Sequence, residues 1–102
     1  MTKHRYTPGP WIHKGPDHFR DYNILHQGDA LAVAAVVSNM RPSYEIKANA
    51  KLIAAAPELL EAAIAVLADL SERIDAAVAE RRPSPVFAGI AALHDAVNKA
   101  TA

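Results

Sequence analysis

Four of the five histidines, His4, His13, His18 and His26, stand near the start of the chain beside Asp17 and Asp21. Imidazole and carboxylate groups are the ligands of catalytic zinc, where an open coordination position activates a water. The spacings here are irregular, however, and no H-E-x-x-H segment occurs. Separate surface or half-buried histidines are the simpler reading, and His94 reads as structural. Glu58 with Glu61 and Glu72 with Asp75 have helical spacing, which a solvated helix face explains without a metal. Ser38, Ser43, Ser71 and Ser84 lie in breaker or helical contexts, without the flanks of a nucleophile elbow. "GPDHFRDYNILHQGD" has neither a G-x-G-x-x-G nor a Walker pattern. The chain has no cysteine, which removes disulfides, thiolate catalysis and cysteine-bound zinc. No catalytic residue, metal ligand or cofactor is assigned, and a non-enzymatic protein is expected.

One cluster has a different chemistry. Trp11, His13, His18, Phe19, Arg20, Tyr22 and Arg41 bring aromatic, imidazole and guanidinium groups together. Flat rings and cationic forks suit stacking on a base and gripping a phosphate. The competing reading is that Trp11, Phe19 and Tyr22 fill the core between a sheet and a helix. The two are compatible if the cluster is completed at a subunit boundary.

The elements that must hold these residues divide the chain into a β-rich part, 1–42, and a helical part, 43–102, within a single domain 1–102. "TPGP" (Thr7 to Pro10) is a turn or extended entry, because a residue before proline avoids the α region. "WIHK" reads as a short strand. "DYNILHQ" alternates, with Tyr22, Ile24 and His26 on one face. Gly28 and Asp29 fit a tight hairpin turn, and "ALAVAAVV" is a third strand. Such a meander of two or three antiparallel strands needs a helix against it. "PSYEIKANAKLIAAA" supplies one, with Ser43 as N-cap and Ile46, Ala50, Ile53 and possibly Leu52 on its inner face.

Pro57 follows in the middle of an alanine- and leucine-rich run. Proline is costly inside a helix but tolerated at its first position, where its missing N–H has no partner to lose. The pattern therefore predicts a helix break at Pro57 and a longer second helix. Glu58 and Glu61 lie in its first turn and Arg81 and Arg82 in its last, matching the macrodipole. Its stripe is Leu60, Ile64, Leu67, Leu70 or Ser71, Ile74 and Val78. "VFAGIAALHDAVNKA" is a third helix, with Val86 or Phe87, Ile90, Leu93 and Val97 inward. It folds back on the second as a helical hairpin. The expected fold is α+β.

The formal net charge is +0 over 102 residues, with +2 in residues 1–42 and −2 in the remainder. That disfavours a general nucleic-acid binder or a polybasic membrane anchor. A neutral, alanine-rich surface offers little charge repulsion against self-association, and a homo-oligomer is expected. "MTKHRYTPGPW" lacks the apolar core of a signal peptide, and no apolar run approaches a membrane span. The host-cell cytoplasm is the expected compartment.

"TPGPW" (Thr7 to Trp11) and "ANAKLIAAAPELL" (Ala48 to Leu60) resemble a widespread family of small phage and prophage proteins. Its members share a T-P-G-P-W opening, a short β-meander and an A-N-A-x-L-I-A-A-A-P-E-L-L block followed by helix. The resemblance implies a viral accessory protein and assigns no reaction to it. Small phage accessory proteins of this kind often counter host defence. Some are sponges that sequester a cyclic nucleotide or an ADP-ribose-type signal. On that reading the ligand-binding residues are Trp11, His13, Arg20, Tyr22, Arg41 and Asn49. Others are inhibitors that block a host defence protein by contact, as anti-CRISPR proteins do; here the helical face would make that contact.

Overall fold

A computed structural model describes residues 5–83 and 88–101. Three strands, β1 (Trp11–Lys14), β2 (Tyr22–His26) and β3 (Ala32–Val36), precede three helices, α1 (Ser43–Ala54), α2 (Ala56–Ala79) and α3 (Ile90–Thr101). The fold is α+β. The strands form an antiparallel meander in the order β1-β2-β3. Trp11 pairs with His26 and His13 with Ile24 across β1 and β2. Between β2 and β3, Leu25 pairs with Ala32 but Ile24 with Ala34, a register shift that leaves Val33 as an extra residue.

The alternation in β2 has the expected consequence. Tyr22 and Ile24 point into the core, with Ile24 wholly buried, and His26 is half-buried on the same face. Helix α1 covers that face with Ile46, Ala50 and Ala54, and Val36 of β3 completes the cluster. Alanines at positions 50 and 54 let the helix backbone approach the sheet closely. Ile53 packs beside them, whereas Leu52 is 64% exposed and lies off the inner face.

Several local expectations are corrected. The two-residue Gly28–Asp29 turn is a five-residue loop between His26 and Ala32. Ala30 takes the left-handed conformation there (φ 58°) and donates its N–H to the His26 carbonyl at 2.8 Å. Asp29 accepts the Leu31 N–H at 2.9 Å, so it builds the wider loop from within. Ser43 is not the N-cap of α1. Pro42 holds that position in an extended conformation, without a side-chain cap. Its carbonyl accepts from the Glu45 and Ile46 N–H groups, while Arg41 pairs with Glu45 at 2.7 Å.

The break falls where Pro57 requires it. Helix α1 ends at Ala54, Ala55 takes φ −84° and ψ −4°, and α2 begins at Ala56. Pro57 therefore lies in the first turn of α2, where its absent N–H costs no ladder bond. It is also buried. A Cβ placed on Gly9 would lie 2.9 Å from the Pro57 Cβ, closer than carbon atoms approach. The opening turn and the helix break thus meet at a joint that excludes a side chain at position 9.

The chain divides into two units, Met1–Leu59 and Leu60–Ala102, and the division falls inside α2. In the second unit, Leu60, Ile64, Leu67, Leu70 and Ile74 are half-buried. The stripe then passes to Ala77, which is buried, while Val78 is 65% exposed. Arg81 and Arg82 lie beyond the last turn of α2 and form its cap. Arg81 is left-handed (φ 55°), its N–H reaches the Val78 carbonyl, and the Arg82 N–H reaches that of Ala77 at 2.8 Å. Helix α3 turns Ile90, Leu93 and Val97 to its half-buried side, and α2 and α3 are the arms of the helical hairpin. Val86 and Phe87, expected inward on this helix, lie outside the described residues.

Candidate functional site

The loop between β1 and β2 is built around Asp17. Its Oδ1 accepts the N–H groups of Phe19 at 2.9 Å and Asp21 at 3.0 Å. Its own N–H donates to the Asp21 carbonyl, and its carbonyl accepts from Arg20, which is left-handed (φ 65°). The hydrogen bond from the Asp21 backbone, with further bonds from Phe19 and Asn23 and the nearby His18, holds the Asp17 carboxyl below its usual range. Gly15 lets this loop close, since a Cβ there would lie 2.8 Å from the Asp21 carbonyl oxygen.

The loop between β3 and α1 is tied to the first. Asp21 Oδ1 accepts the Ser38 N–H at 2.8 Å, and the Ser38 hydroxyl donates to the Phe19 carbonyl at 3.2 Å. The Arg41 N–H then reaches the Ser38 carbonyl at 2.9 Å, and Met40 between them is left-handed (φ 68°) and fully exposed. Two breaker segments far apart in sequence are therefore fixed side by side.

Between them lies an open pocket of about 640 Å³, within the range of about 300–1,000 Å³ for small-molecule sites. Arg20 and Arg41 line it, with Tyr22 and Ile46 from the core and Ser38 from the second loop. The first residues of α1 close one end, where the helix carries partial positive charge. The Arg41 guanidinium is held by Glu45, whereas that of Arg20 has no ion-pair partner among the described residues. Cations, a tyrosine ring and a hydroxyl converge here, and no nucleophile beside a general base does.

The sequence cluster is thus divided. Arg20, Tyr22 and Arg41 meet at the pocket; Trp11, His13 and Asn49 do not line it. Trp11 packs half-buried against the core and donates its indole N–H to the Thr7 carbonyl at 3.0 Å. His13 lies on β1 with its ring centroid 6.3 Å from that of Tyr22. Asn49 is half-buried on α1. Pro16, Ser38, Met40 and Pro42 enter the lining unannounced. The only signals for them are the loop segment "GPDHF" and the breaker cluster "SNMRPS", which mark loops without saying that the loops touch.

Among the described residues, no group of three or more His, Asp or Glu side chains is placed to hold a metal ion. No described helix is long and apolar enough to cross a membrane. No curated protein and no solved structure matches the chain. The family described as Salmonella phage P22 protein Y8K6 matches it over residues 1–102. The opening turn and the alanine-rich block, which resemble small phage proteins in sequence and touch at Gly9 and Pro57, are thus parts of one chain-long match: the protein belongs to the Salmonella phage P22 protein Y8K6 family, a family of phage accessory proteins.

Proposed function

We propose that the protein is a non-enzymatic counter-defence factor that sequesters a small nucleotide-derived signal in the pocket between the β1–β2 loop and the start of α1. The observation that carries this reading is the convergence of Arg20 and Arg41 on a tyrosine-lined pocket of about 640 Å³. A phosphate or pyrophosphate would be taken by Arg20 and by Arg41, the latter sharing its fork with Glu45. The base would lie against Pro16, Tyr22 and Pro42, which also line the pocket. The cross-tied loops support sequestration, because a site ordered in advance loses little entropy when it is filled.

Calorimetry against cyclic mono- and dinucleotides and ADP-ribose isomers tests the reading. Binding should be seen with one of them, the ligand should be recovered chemically unchanged, and Arg20→Ala should weaken binding at least tenfold. No heat with any member of the panel would overturn the proposal. Co-elution with a host defence protein would then favour an inhibitor acting by contact.

A further inference from the structure

The half-buried residues of α2 carry a regularity beyond amphipathicity. Leu60, Ala63, Leu67, Leu70, Ile74 and the buried Ala77 follow one another at spacings of three, four, three, four and three. This is the seam of a heptad repeat, with Leu60, Leu67 and Ile74 at a and the others at d. On α3, Ile90, Leu93 and Val97 continue the same rhythm. Yet Ala77 is the only buried side chain among the described residues of the second unit. Both seams stay partly open to water. Beside the α2 seam, Leu59 and Val66 at g and Val78 at e are 55%, 50% and 65% exposed. That apolar face is wider than a single helical hairpin covers.

We infer that a second copy of this chain covers the face, with α2 pairing antiparallel to its equivalent so that two hairpins make one four-helix bundle. The side-chain sizes fit this pairing. Set antiparallel, a positions meet d positions: Leu60 meets Ala77 of the second copy, Ala63 meets its Ile74, and Leu67 meets its Leu70. Large residues face small ones in the outer layers, and leucines meet at the centre, as close packing requires. The charges select the same orientation. Glu58 and Glu61 make the N-terminal end of α2 acidic, while Arg81 and Arg82 outweigh Glu80 at the other end. Antiparallel pairing sets unlike ends and opposed helix dipoles beside each other; parallel pairing sets like beside like. The two-fold contact is closed, so it ends at a dimer.

The mass of the full chain in solution, measured by light scattering over a range of concentrations, tests this. The expected value is twice the 10.9 kDa of one chain. Val66→Glu and, separately, Val78→Glu alter side chains already half or more exposed in the single chain, so each should leave it folded and shift it to the monomer. Orientation is read by cross-linking, since the protein has no cysteine of its own. Mixing Val66→Cys with Arg73→Cys should give a disulfide-linked dimer, because these g positions face each other only in the antiparallel register. A monomer at every concentration, a dimer that persists in both glutamate variants, or cross-linking of Val66→Cys with itself alone would overturn the inference. So would a chain that stays monomeric by itself and associates only with a host protein. None of these results bears on the pocket, which lies wholly in the first unit.

Discussion

The two units use apolar residues in opposite ways. In Met1–Leu59, a small number of side chains is excluded from water almost completely, and loops are tied to one another over long stretches of sequence. In Leu60–Ala102, apolar side chains are about as numerous, yet among the described ones Ala77 alone is buried and the rest are half-buried or exposed. A sheet face closed by a single helix excludes water here with two isoleucines, a tyrosine, a valine and two alanines. A pair of helices has two open sides, and its stripe is left half covered until more surface arrives. The first unit has a buried core of its own, and the second has one buried side chain among its described residues.

That contrast can be broken by substitution, and the largest effect should come from the sheet. Ile24→Ala removes the only large, fully buried side chain among the described residues and should cost about 2–5 kcal/mol in denaturant unfolding. Ile74→Ala, on the half-buried stripe, should cost about 1 kcal/mol or less in dilute protein and more as concentration rises. Equal, concentration-independent losses at the two sites would remove the distinction. Gly9→Ala comes next. The added methyl meets the Pro57 ring and should cost about 1–3 kcal/mol, as overpacking does. A neutral result would mean that the joint is loose. Pro57→Ala should cost only about 1 kcal/mol, combining a lost packing contact with a freer unfolded chain. A rise in helical circular dichroism would report α1 and α2 fusing through Ala55.

The smallest effect is that of acid on the loops. Hydrogen bonds from the Asp21 backbone to Asp17, and from the Leu31 backbone to Asp29, hold both carboxyls below their usual value. Folded values lower than unfolded ones stabilise the protein above the unfolded value, near 3.9, and that contribution is lost as pH falls through the folded values. The amide resonances of Phe19, Asp21 and Leu31 should therefore hold steady through pH 5 and move only below about pH 4. Movement at pH 5 or above would show that the carboxylates are not held in this way.

Much of the first unit was legible because period-two alternation leaves little freedom. Tyr22, Ile24 and His26 share a face in any strand, and Ile46, Ala50 and Ile53 share one in any helix. The proline break was equally readable, since only the first turn of a helix tolerates Pro57. The details that failed depend on groups distant in sequence or on small angles. Ser43 gave way to Pro42 at the cap of α1. The tight Gly28–Asp29 turn opened because Asp29 holds the Leu31 amide. The α2 stripe reached Ala77 rather than Val78 because spacings of three and four diverge over several turns. Half of the proposed site lay beyond sequence for the same reason. Arg20, Tyr22 and Arg41 could be picked by chemistry, but Ser38 joins them through Asp21 and Phe19. Trp11, equally suited to stacking, was drawn against the core.

The joint between Gly9 and Pro57 also sets an order of events during synthesis. The opening turn leaves the ribosome first, and the three strands and most of α1 follow it. Until Pro57 emerges, that turn lacks the proline ring it closes against, although the Gln27 N–H can already reach its Pro10 carbonyl. The oldest segment of the chain is therefore among the last parts of its own unit to lock, and a nascent chain halted before Pro57 would carry a paired sheet with an open end.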